Sequence, residues 1–158
     1  MSPDDPRGTS GPPAVLRQRD IVRTVGSEIS ELLSELDDHA EVECRLLVGY
    51  GQFTSRVVRI DGSYESVRTP RAVKDSLMEL REKVMYSPGG GTWMSARFVV
   101  RQGGGVEADF NYDAEPDWSH ELDPVLYAQE LRAFPRDERS TPGWLRRKVE
   151  SISGGPES

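Results

Sequence analysis

Asp109, Asn111, Asp113 and Glu115 stand two residues apart as D-x-N-x-D-x-E, the donor types and spacing with which a calcium loop of the EF-hand kind opens. The resemblance ends at the sixth position, which needs a glycine for its sharp turn, and at the twelfth, which needs a bidentate glutamate; here they are Ala114 and His120. Alternation with Phe110 and Tyr112 reads instead as a strand with a solvated polar face. Two glycine runs, Gly89–Gly91 and Gly103–Gly105, lead into strands rather than into the helix N-terminus that a phosphate loop requires, so both read as turns. His39 and His120 lie in no nucleophile signature, and Cys44 falls on the apolar phase of its strand with no second thiol to share a disulfide or a metal. The expectation is a protein that is not an enzyme and has no catalytic, cofactor-binding or metal-binding residues.

Charge points elsewhere. The chain has 158 residues and a net charge of −7, which disfavours nucleic acid or an anionic membrane as the main partner. Of its 27 acids and 20 bases, eight acids and no base fall between Gln102 and Leu131, which leaves the rest of the chain at +1. Glu107, Asp109, Asp113, Glu115 and Asp117 belong to that window. No apolar run approaches the roughly 18 residues a spanning helix needs, and the opening MSPDDPRG lacks the layout of a signal peptide, so a cytoplasmic protein is expected.

The elements that must position these residues can be read from periodicity. Residues 1–13 and 153–158 are rich in Pro, Gly and Ser and read as disordered tails around a single domain over 14–152. Apolar residues recurring at three and four from Ala14 to Leu36 predict an amphipathic helix, ended by Asp37-Asp38-His39. Val42 to Val48 alternates, and Gly49-Tyr50-Gly51 turns it into a second strand, Phe53 to Ile60. Tyr64 to Val67 is a short third strand before a helix capped by Thr69, with Pro70 first in it and Tyr86 near its end. A second hairpin joins Trp93–Arg101 to Val106–Tyr112, and helices follow from Asp123-Pro124 and from Thr141-Pro142. The order α-β-β-(β)-α-β-β-α-α predicts an α+β fold, an antiparallel sheet of four to five strands with helices packed on one face.

Register in the second hairpin is constrained, because Met94, Ala96, Phe98 and Val100 must share a face with Val106, Ala108, Phe110 and Tyr112. The opposite face then gathers Trp93, Ser95, Arg97 and Arg101 with Glu107, Asp109, Asn111 and Asp113. On this count Trp93 lies beside the acidic row, either covered by a helix or used by a partner, and Trp118 in its loop is a second candidate contact.

Gly-Gly-Thr-Trp93-Met-Ser95-Ala-Arg97-Phe98, the glycine turn, Ala108-Asp109-Phe110-Asn111-Tyr112-Asp113 and a closing Trp144-Leu145 together resemble the YezG-like family of bacterial antitoxins, in its actinobacterial form. The likeness covers most of Ile21 to Val149. It implies an immunity protein that binds the toxin domain of a cognate secreted polymorphic toxin, often a nuclease. Within that reading the partner-binding residues are Trp93, Glu107, Asp109, Asn111, Asp113, Glu115, Asp117 and Trp118, with the carboxylates steering a basic partner and a tryptophan supplying buried contact. The alternatives are a non-inhibitory adaptor or secretion chaperone of the same fold, and a small hydrolase using carboxylates of the acidic row, which would need one in a pocket with a strongly raised pKa.

Overall fold

Helix α1 (Ala14–Ser30) packs through Ile21, Val22, Val25 and Ile29, the last two without solvent contact. The computed structural model describes residues 14–153, so the N-terminal tail and residues 154–158 lie outside the described residues. The helix stops well before Leu36. A turn closed by Asp37, whose carboxylate accepts the Ser34 N–H and hydroxyl at 2.8 and 3.0 Å, redirects the chain. Leu32 and Leu33 still pack on the core, whereas Leu36 is exposed. Asp37, Asp38 and His39 therefore open the first strand rather than end the helix.

The strands are β1 (Asp37–Leu47), β2 (Tyr50–Arg59), β3 (Tyr64–Val67), β4 (Ser95–Arg101) and β5 (Val106–Asn111), ordered β3-β2-β1-β4-β5 with every neighbour antiparallel. Pairing runs up to Leu47↔Tyr50, so the first hairpin turns on Val48-Gly49 and not on Gly49-Tyr50-Gly51. Helix α2 (Arg71–Glu79) is capped at Pro70; the Thr69 hydroxyl is buried against that of Ser55 instead of capping. Its last turn widens into a π-helical turn, Leu80–Val84, with the Met85 N–H donating to the Leu80 carbonyl at 2.9 Å. Leu80, Arg81 and Val84 are all buried there.

Side-chain alternation divides the sheet into two faces. Ala40, Val42, Cys44, Val57, Ala96, Phe98 and Val100 form one core with α1 and α2. Burial pushes the Cys44 thiol up to about 12, so it behaves as a small apolar side chain. A second cluster gathers Leu47, Met94, Leu122, Tyr127 and Leu145 with α3 (Pro124–Ala133) and α4 (Gly143–Ser153). It closes the end of the sheet at the β1–β2 turn, leaving the rest of the polar face open. Asp123 caps α3 as the Asp-Pro pair predicts, accepting the Val125 N–H at 3.0 Å.

The second hairpin has the expected register from Ala96↔Phe110 through Phe98↔Ala108 to Val100↔Val106. Gly103 and Gly104 supply the positive φ its turn requires, at 96° and 102°. The alternation breaks before β4. Met94 donates its N–H to the Asn111 carbonyl at 2.8 Å, although Asn111 already pairs with Ser95. Two residues thus oppose one, the arrangement of a β-bulge, and the side-chain phase shifts by one position. Met94 joins the second cluster, and Trp93 turns into the main core with its ring 5.4 Å from that of Phe110. Trp93 is 0% exposed, which removes it from the acidic face and from any partner surface.

Candidate protein-binding surface

The chain from Asn111 to Asp123 carries five acids and no Lys or Arg, and a set of internal bonds fixes its shape. Asn111 shapes the first turn. Its amide oxygen accepts the N–H groups of Asp113 and Ala114 at 3.3 and 2.9 Å, and its amide nitrogen donates to Ser95 Oγ and the Ala114 carbonyl. Those bonds occupy the polar atoms that were candidates for partner contact, so Asn111 builds the loop. The Trp144 indole N–H donates to the Asp113 carbonyl at 2.7 Å and ties the loop to α4.

Farther along, the Tyr127 hydroxyl accepts the Trp118 indole N–H at 2.9 Å and donates to Glu115 at 3.1 Å. Burial raises the Tyr127 phenol well above its ordinary range, with the Glu115 carboxylate adding to the effect, so the hydroxyl keeps the proton it donates. Trp118 is half-buried and stacks at a tilt on Tyr50, 5.6 Å between centroids, while Ser119 and Gln52 exchange hydrogen bonds across the same seam. Lys148 lies 3.7 Å from Glu115 and 3.8 Å from Glu121. Trp118 and Glu115 therefore hold the loop, and Asp113, Asp117 and Glu121 are exposed on its outer side.

Beside this loop lies the open face of the sheet. Glu41 sits at its centre, bound by Arg56 Nε at 2.8 Å, His39 Nε2 at 2.9 Å and Arg97 at 3.3 Å. Burial alone would raise the Glu41 carboxyl, but the hydrogen bonds from Arg56 and His39 and the nearby guanidinium charges hold it below the ordinary value. His39 is raised by its hydrogen bond to Asp38, with burial opposing and Glu41 reinforcing. Arg45 and Arg97 share Glu43, and Arg101 pairs with Glu107. A shallow depression of about 320 Å3 joins this lattice to the loop, lined by Glu43, Arg45, Arg97, Asp109, Asn111 and Asp117. Among the described residues Asp109 and Asp117 enter no ion pair.

The structure thus brings Asp109, Asn111 and Asp117 together at the depression, with Glu107 farther along the same strand face and Asp113 on the loop that follows. β1 and β2 bring Arg45 and Arg56 to the same face, where they pair with Glu43 and Glu41 of β1; of the β5 carboxylates, Glu107 pairs with Arg101 of β4. On the loop, Asp113 lies 4.0 Å from Arg136 and Glu121 3.8 Å from Lys148, whereas Asp117 is without an ion pair among the described residues. No group of three or more His, Cys, Asp or Glu side chains among the described residues is arranged to hold a metal ion.

One polar pair had no signal in the sequence. Arg81, from the widened turn after α2, meets Glu130 of α3 inside the protein. Arg81 Nε also donates to the Trp93 carbonyl at 2.8 Å, and Glu130 accepts the Val48 N–H at 2.8 Å. These bonds fasten α3 to the sheet end and so set the position of the loop that precedes it. No helix among the described residues is long and apolar enough to cross a membrane. No family model matches the chain, and none of the curated proteins is similar to it.

Proposed function

We propose that this is an immunity protein, an antitoxin that binds the toxin domain of a cognate secreted polymorphic toxin, and that the toxin is a nuclease. The observation that carries the reading is the fixed acidic loop. Asp113, Asp117 and Glu121 project from a segment pinned by the Trp118–Tyr127–Glu115 chain and by Trp144, so little ordering is needed when a partner docks. A nuclease must offer Lys and Arg to phosphates, and a rigid row of carboxylates is complementary to such a surface and steers fast association. The resemblance of the Trp93–Phe98 and Ala108–Asp113 segments to YezG-like antitoxins supports the same reading.

The test is to identify the coding sequences beside this gene, purify any toxic domain among them, titrate it with the protein by calorimetry, and assay the toxin in parallel. A one-to-one complex in which toxin activity is lost is the expected result. A complex that leaves the toxin fully active would mark an adaptor or chaperone, and no complex at all would remove the reading.

A further inference from the structure

The two edges of the sheet are built differently. β3 is four residues long and places Glu65, paired with Val57, on the helix-facing side, a short strand with an inward charge that discourages further pairing. β5 is six residues long and carries no proline, and its helix-facing residues are Val106, Ala108 and Phe110. Among the described residues no strand pairs with its outer edge, since β5 ends the strand order. Its free groups follow from the register. The Arg101 N–H donates to the Gly105 carbonyl at 2.8 Å, so Gly105 and, by alternation, residues 107, 109 and 111 bond inward to β4. The N–H and C=O groups of Val106, Ala108 and Phe110 therefore point outward.

We propose that the outer edge of β5 accepts an extended segment of a partner protein by strand addition, and that this segment alternates apolar residues with Lys or Arg. The backbone groups of Val106, Ala108 and Phe110 supply the ladder. Val106, 37% exposed, and the half-buried Ala108 and Phe110 offer an apolar side for every second residue of the incoming strand. On the other side Glu107, paired with Arg101, is exposed, Asp109 is exposed and without an ion pair among the described residues, and Asp113 follows, which selects basic residues at the alternate positions. The same charges argue against a second copy: antiparallel pairing centred on Ala108 would set Glu107 of each chain against Asp109 of the other. The inference concerns the mode of docking and does not require the partner to be a toxin.

The probes are two end-blocked peptides, TKVRVKT and its acidic counterpart TEVDVET, titrated to about 1 mM into the full chain by amide NMR. The basic peptide is expected to shift the amides of Val106, Ala108 and Phe110 and slow their hydrogen exchange; the acidic one is not. Glu107→Lys with Asp109→Lys, both exposed and so tolerable to the fold, should weaken the basic peptide about tenfold and let the acidic one bind. Ala108→Pro removes an outward N–H without touching the β4 ladder and should abolish binding. Equal responses to both peptides, no response at these amides, or undiminished binding by the Ala108→Pro variant would overturn the proposal. So would a concentration-dependent dimer that already protects the same amides.

Discussion

Arg81 and Glu130, 49 residues apart in sequence, form an ion pair with 0% and 2% of their side chains exposed. The pair joins the widened turn after α2 to α3, and its remaining bonds reach the Trp93 carbonyl and the Val48 N–H. Removing one partner leaves a charge buried without its counter-ion, a loss that typically costs about 3–5 kcal/mol. Glu130→Ala should destabilise by that amount in urea unfolding. Arg81→Met combined with Glu130→Leu should recover a large part, since no charge remains to be desolvated, though Val48 and Trp93 lose their partners. A Glu130→Ala variant within about 1 kcal/mol of the parent would show that the pair does not hold this junction.

The two tryptophans should behave differently. Trp93 fills the core beside Phe110, so Trp93→Ala is expected to cost about 3–5 kcal/mol. Trp118 is half-buried and bonded to Tyr127, and Trp118→Phe, which removes the indole N–H and replaces the double ring with a smaller one, should cost about 1–2 kcal/mol. Paired denaturation curves measure both. A tolerated Trp93→Ala would mean that the bulge at Met94 does not turn this ring inward.

The stripes of α1 and α2, both hairpins and the Phe98↔Ala108 register are legible in the sequence because burial imposes a period of 3.6 or 2. Trp93 is misread by the same rule. Parity counted from Arg101 backwards holds to Ser95 and then fails at the bulge, for which Met94-Ser95 carries no sign. The end of α1 is misread because Leu32 and Leu33 serve the core from a turn, and the stripe looks unbroken. Nothing in the local pattern marks Arg81 and Glu130, which are buried by the packing of α3 on the turn after α2 and on the sheet end. Of the site, the carboxylates of β5 and of the loop are evident from composition; the lattice of Glu41, Glu43, Arg45 and Arg56 beside them is placed there by sheet order, which local pattern does not encode.

The Asp38–His39–Glu41 cluster predicts a pH dependence of stability. His39 titrates above its ordinary 6.5, so its contribution is complete below that value and is lost as pH rises through the higher folded value. Glu41 titrates below its ordinary 4.5, so its contribution is present above that value and is lost as pH falls through the lower folded one. Together they stabilise most between these two ordinary values. The stability lost on His39→Asn should accordingly be larger at about pH 5.5 than at about pH 8.5, read from chemical denaturation at each pH. A loss of equal size at both would contradict the assignment.

Contact between the acidic loop and the partner is read from stopped-flow association with the toxin domain at about 20 mM and about 500 mM salt. Asp113, Asp117 and Glu121 are exposed, so their joint replacement by lysine should leave the fold intact. The triple variant is expected to associate at least about tenfold more slowly than the parent at low salt, with the difference shrinking at high salt. A folded triple variant with the parent's rate and salt dependence would contradict the claim that this loop meets the partner.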